Sequence, residues 1–208
     1  MTDILGGARV VPVVVIDELE KAVPLAETLV ASGISVIEVT LRTDAAMAAI
    51  GAIAKAVPDM VTGAGSVRTP DQMQAVVDAG ARFTVCPGAT ERLVDAAEQS
   101  GVPFFPGGAT PSEMLRLYEL GFSTQKFFPA EVAGGIPMLK AVSGPLPEVR
   151  FMPTGGISVE RAVDYLALPN VACVGGSWIT PKNLLADGDF DGIGKLAAAA
   201  AALGNQIE

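Results

Sequence analysis

Short runs of β-branched and aromatic residues alternate from end to end of this chain with longer segments rich in Ala and Leu. The short runs predict strands at 10–16, 35–40, 60–64, 82–85, 103–105, 123–128, 149–153 and 171–175. The longer segments predict helices at 18–31, 44–57, 70–79, 91–99, 111–120, 137–143, 159–166 and 192–203. Thr69-Pro70, Thr110-Pro111 and Ser158 mark three helix starts, each a capping hydroxyl followed by good helix formers. Pro24 should kink the first helix unless it falls in the first turn.

Eight strands alternating with eight helices predict parallel βα units. The connections are short and no linker interrupts them, so the expected architecture is α/β: a single-domain (β/α)8 TIM barrel over residues 1–208. An open doubly wound sheet is the alternative. Against it, the first predicted strand runs into Asp17-Glu18-Leu19 rather than a Gly-rich dinucleotide turn. Barrels of this kind place their active sites at the C-terminal strand ends, often with a phosphate site after the seventh and eighth strands.

Charge and composition narrow the function. A net charge of −9 argues against nucleic acid or an anionic membrane as partner, since both require a clustered positive field. No apolar run approaches the ~20 residues of a membrane span. The first seven residues lack the basic stretch and apolar core of an export signal, so the expected location is the cytoplasm. Cys86 and Cys173 are then expected as buried free thiols rather than a disulfide. The chain has no histidine, which removes imidazole bases and His-ligated zinc from consideration. Any metal would have to be a hard cation held by carboxylates.

Lys126 lies inside the apolar run that ends Lys126-Phe127-Phe128-Pro129-Ala130-Glu131. An ammonium among aromatics must pair with an anion or give up its proton, and the free amine attacks carbonyl compounds. Strand alternation puts Lys126 and Phe128 on one face. In Glu38-Val39-Thr40-Leu41-Arg42-Thr43 it likewise puts Glu38, Thr40 and, if the strand continues, Arg42 on the interior face. Glu38 could transfer protons and Arg42 could clamp a carboxylate. A structural Glu38–Arg42 pair, or a Lys126–Glu38 pair with no catalytic purpose, stays open. At the third strand end, Gly63-Ala64-Gly65-Ser66-Val67 exposes amides and a hydroxyl. Two Gly-Gly turns follow the seventh and eighth strands, in Pro153-Thr154-Gly155-Gly156-Ile157-Ser158 and Gly175-Gly176-Ser177-Trp178. Their backbone N–H groups, with the helix that starts after Ser158, could hold a phosphate, or the glycines could simply turn the chain.

Together, and in this order, these five stretches resemble the 2-keto-3-deoxy-6-phosphogluconate (KDPG) aldolases, class I pyruvate aldolases of the Entner–Doudoroff pathway. The resemblance spans essentially the whole chain. It implies Lys126 as the Schiff-base lysine and Glu38 as the proton-transfer carboxylate. It implies Arg42 and Ser66 as ligands of the pyruvate carboxylate, and Phe128 and Thr154 as residues that shape the aldehyde site. Gly155, Gly156, Gly176 and Ser177 would bind phosphate. Ser66 stands where threonine is usual, and the hydroxyl is retained. Gln125 replaces an aromatic often found before the lysine, on the opposite face, where little consequence is expected. The resemblance further implies a phosphorylated keto-acid substrate, no cofactor or metal, and a homotrimer. Neighbouring activities on 4-hydroxy-2-oxoglutarate or the 6-phosphogalactonate epimer, and a non-catalytic phosphate-binding barrel, are the alternatives.

Overall fold

The computed structural model describes residues 2–204; Met1 and residues 205–208 of the expected domain lie outside the described residues. Its strands are β1 (Val10–Val14), β2 (Val36–Thr40), β3 (Val61–Gly65), β4 (Phe83–Val85), β5 (Phe104–Phe105), β6 (Gly107–Gly108), β7 (Thr124–Phe127), β8 (Arg150–Pro153) and β9 (Val174–Gly176). The helices are α1 (Ala22–Ala31), α2 (Ala46–Ala56), α3 (Pro70–Asp78), α4 (Glu91–Ser100), α5 (Pro111–Glu119), α6 (Gly135–Val142), α7 (Val159–Leu166), α8 (Lys182–Asp187) and α9 (Phe190–Gly204). Strand and helix alternate, and every strand pair is parallel. The α/β expectation holds.

The strands do not pair as the expected continuous eight-stranded ring. They form a six-stranded sheet in the order β5-β4-β3-β2-β1-β9 and a three-stranded sheet β6-β7-β8. One seam falls at Pro106, which has no N–H to donate and separates β5, the fifth expected strand, from β6, which was not expected. Its carbonyl still accepts from Lys126 N at 2.8 Å. At the other seam, isolated bridges join Phe151 to Val171 and Thr154 to Gly175. The last strand therefore starts at Val174 rather than Val171, and within the six-stranded sheet the first strand pairs with the last.

Local chemistry explains the helix starts. Thr69, Thr90, Thr110 and Ser158 each accept a hydrogen bond from the backbone N–H three residues on, and Thr110 with Glu113 completes a capping box. The expected first helix opens as a short 3-10 turn, Leu19–Lys21, before α1. Pro24 then falls in the first turn of α1, where its missing N–H leaves no intrahelical bond unmade. Helix α8 was not expected.

Two apolar layers hold the molecule together. Inside the curl of strands, Val11, Val36, Phe83, Val85, Phe105, Met152 and Cys173 pack together, with Leu5 beside them. Outside, the opposite strand faces bury Ile37, Val39, Phe127 and Phe151 against helix residues such as Leu25, Ile50, Val76 and Leu139. Both cysteines are buried and free, as expected. Among the described residues no helix is long and apolar enough to cross a membrane.

Candidate active site

The odd-even alternation of β2 and β7 puts Glu38 and Lys126 on the inner face, where both are buried, at 0% and 3% exposure. Lys126 Nζ donates to Glu38 Oε1 at 3.0 Å, although 88 residues separate them. The second carboxylate oxygen, Oε2, is buried with no partner among the described residues. A buried acceptor left unsatisfied is uncommon in a folded protein and costs stability unless something else occupies it. The Phe128 ring closes over the ammonium, its centre 5.4 Å from Nζ.

The room for Glu38 comes from Gly65, which the sequence presented only as one small residue at the third strand end. A Cβ on Gly65 would lie 2.1 Å from Glu38 Oε1 and 2.7 Å from Cγ and Cδ. β3 therefore has to carry a glycine opposite the carboxylate. Thr40, the next inward residue of β2, is bonded to the Val14 carbonyl at 2.8 Å and is not free to act on a ligand.

Above this pair opens a cavity of about 730 Å³. Of the residues read from the sequence, Arg42, Ser66, Phe128, Thr154, Gly155, Gly156 and Ser177 line it. Lys126, Glu38 and Gly176 do not. The pair adjoins the cavity through Phe128, which lines it and packs on Lys126, and Gly176 packs against Trp178, whose ring would be 2.3 Å from a Cβ at that position. β2 ends at Thr40, so Arg42 sits beyond the strand, exposed at the rim rather than inside. Its Nε meets Ser66 Oγ at 3.4 Å. The alternative Glu38–Arg42 pair is thus replaced by Glu38–Lys126. Ser66 adopts a left-handed backbone, φ +58°, a conformation L-residues other than Asn and Asp rarely take.

Opposite Arg42, Gly155 and Gly156 both have positive φ, 104° and 78°, which turns the chain sharply where β8 meets the cavity. Helix α7 begins only at Val159, beyond the lining residue Ile157, and carries Glu160 in its first turn. Ser158 Oγ donates to that carboxylate at 2.7 Å, which holds it below the usual range. The dipole of α7 already faces one anion of its own. Behind the turn, Glu131 N donates to the Gly155 carbonyl at 3.2 Å and Ala130 N to that of Thr154 at 2.8 Å. The Glu131 carboxylate is held from α7 by Tyr165 Oη at 2.5 Å and Arg161 Nη2 at 3.6 Å. Burial and this carboxylate push the Tyr165 hydroxyl well above its ordinary range.

Two other positions differ from expectation. Gln125 does face away from the site, but it is fully buried and its Nε2 bonds the carbonyls of Met114 and Phe122, both at 2.9 Å. It ties α5 to β7, which is more than the small consequence expected. Arg68, absent from the sequence argument, lines the cavity with Arg42. Among the described residues no three acidic or thiol side chains group as ligands for a metal ion.

The family model of KDPG and KHG aldolases matches residues 1–196. The chain belongs to that family. A KHG/KDPG aldolase of Escherichia coli K12 is 51% identical over 194 residues, covering 93% of this chain and 91% of its own. Among solved structures, the KDPG aldolase of Legionella pneumophila, with pyruvate captured at low pH as a covalent carbinolamine intermediate, superposes with a TM-score of 0.93. It is 49% identical and covers 96% of this chain and 97% of its own. The KDPG aldolase of Zymomonas mobilis ZM4, solved with 3-phosphoglycerate, has a TM-score of 0.90 at 41% identity, covering 97% and 94%.

Proposed function

We propose that this chain is a class I aldolase that cleaves 2-keto-3-deoxy-6-phosphogluconate to pyruvate and glyceraldehyde 3-phosphate. The observation that carries the reading is the buried Lys126–Glu38 contact of 3.0 Å beneath an open cavity. A base touching the ammonium can take its proton, which leaves a neutral amine to add to the C2 ketone. Glu38 returns that proton to the carbinolamine hydroxyl, which leaves as water; an iminium forms and the carboxylate is again free. Glu38, acting through water, then removes the C4 hydroxyl proton. The C3–C4 bond electrons flow into the iminium to form an enamine, and the aldehyde leaves. The enamine takes a proton at C3 through the same relay, and hydrolysis frees pyruvate and the amine. The iminium is the electron sink, so the scheme needs neither metal nor cofactor. Unpartnered Glu38 Oε2 suits the base role, because an acceptor is free at the reacting end.

In this reading Arg42 and Ser66 hold the keto-acid carboxylate, and Phe128 and Thr154 shape the aldehyde site. The amides of the Gly155-Gly156 turn and the Ser177 hydroxyl hold the phosphate, with Gly176 positioning Ser177. In this reading the whole chain acts as one domain whose curl of strands serves as a (β/α)8 barrel; the Thr154–Gly175 and Phe151–Val171 bridges, the Lys126 N to Pro106 O bond and the pairing of the first strand with the last support it. A homotrimer rests on the family resemblance alone, and the cytoplasmic location remains the expectation argued from the sequence. Cleavage of 4-hydroxy-2-oxoglutarate is a second reading with the same chemistry, favoured by the double name of the Escherichia coli relative. The test is product analysis after incubation with each keto acid and with the C4 epimer of the first, in EDTA. Stoichiometric pyruvate and glyceraldehyde 3-phosphate, formed fastest from the gluconate series, support the reading. No cleavage of any of the three would overturn it.

A further inference from the structure

Arg42 and Arg68 both line the cavity, and both also border a second depression on the rim, beside Asp44 and Gln72. Among the described residues neither takes part in an ion pair, and the guanidinium of Arg68 makes no hydrogen bond; only its backbone N–H is bonded, to Gln72 Oε1 at 2.8 Å. Ser66 and Arg68, just beyond the end of β3, flank Val67; Val67 is buried in the helix-side core, whereas both neighbours line the cavity. Arg42 meets Ser66 from the other side at 3.4 Å. Two guanidiniums and a hydroxyl therefore line one cavity, and no acidic side chain lines it with them; Asp44, beside the second depression, pairs with neither arginine. Like charges so placed repel until an anion enters.

We propose that Arg68 is a second binding residue for the carboxylate of the 2-oxo acid, acting with Arg42 from the opposite side of Ser66. The proposal rests on the aldolase reading and extends it. Two planar forks can bind the two oxygens of one carboxylate, which fixes the plane of the oxo acid as well as its position. Arg68 is exposed, so its pull is screened by salt and bears on capture of the oxo acid more than on chemistry after capture.

Pyruvate alone provides the test, because the enamine exchanges C3 protons with D2O and NMR follows that exchange without any aldehyde. The full chain is compared with Arg68→Leu and Arg68→Lys over a range of pyruvate concentrations at low salt and at ~1 M NaCl, where the screening length falls to about 3 Å. Arg68→Leu is expected to raise KM for pyruvate about 2- to 5-fold at low salt while kcat for exchange stays within about 1.5-fold. The gap should shrink at high salt, and Arg68→Lys, which restores charge without the fork, should recover part of the loss. An unchanged KM in Arg68→Leu, or a fall in kcat alone, overturns the proposal. Exchange that is absent from the unsubstituted protein would overturn the aldolase reading beneath it.

Discussion

Replacing Gly65 by alanine places the added methyl 2.1 Å from Glu38 Oε1, where ordinary contact begins near 3.4 Å. The carboxylate would have to retreat by roughly 1.3 Å, and Glu38 is fully buried with no solvent side to move into. Its contact with Lys126 is 3.0 Å, so a retreat of that size breaks the hydrogen bond and removes the base from the reacting end. A misplacement of about 1 Å can cost ~100-fold in rate, and removal of general-base help altogether costs ~10²–10⁴-fold. Gly65→Ala is therefore expected to lower kcat by about 100-fold or more, close to the loss in Glu38→Gln, with the lysine still able to take up pyruvate. Overpacking of this kind costs about 1–3 kcal/mol and should lower Tm by several degrees. Pyruvate release measured at saturating substrate, alongside borohydride trapping of pyruvate and a thermal melt, checks all three parts. Gly65→Ala turnover within a few-fold of the parent, with Glu38→Gln severely impaired, would refute the argument that Gly65 exists to seat the carboxylate.

The phosphate end is tested by Gly156→Val: its left-handed backbone and the Glu131 side chain 3.1 Å from a Cβ there both resist a branched residue. Cleavage of the 6-phosphate should fall by at least ~10–100-fold, the worth of one hydrogen bond to a charged group, while pyruvate addition to an unphosphorylated aldehyde falls much less; equal losses would mean that the turn only shapes the chain. Alkaline pH should destabilise the fold, since burial pushes the Cys86 thiol up to about 11 and Cys173 up to about 12. A raised folded value stabilises fully below the unfolded thiol value near 9, and the contribution is lost as pH climbs through the window from there to about 11. Denaturation at about pH 8 and about pH 10.5 should differ by roughly 2 kcal/mol on account of Cys86 alone, and Cys86→Ala should lessen that difference; an identical pH dependence in the variant would contradict it.

What the sequence made legible follows from how local each signal is. Strand and helix alternation, the three caps and the inward positions of Glu38 and Lys126 depend on spacing within one segment, and all appear in the structure. The proline after the fifth expected strand signalled the break at Pro106, but not that the chain would resume as β6 beside β7. The opening of the second ladder at Val171 and the short helix α8 depend on which partner lies alongside, and no spacing reports that. Gly65 belongs to the same group, because its role is set by Glu38 on the neighbouring strand. The Glu131–Tyr165 contact joins residues 34 apart and has no periodic signature. Arg68 belongs there too: it lies beyond the end of β3, after the left-handed Ser66, so strand alternation could not place it at the cavity.

The central claim is that Lys126 is the amine that bonds to the substrate. Treating the protein with borohydride in the presence of pyruvate, then mapping modified peptides by mass spectrometry, tests it most directly. The account predicts loss of activity with a pyruvate-derived mass on the peptide that carries Lys126, and none in Lys126→Arg. A label on a different lysine, or full activity after reduction, would contradict it.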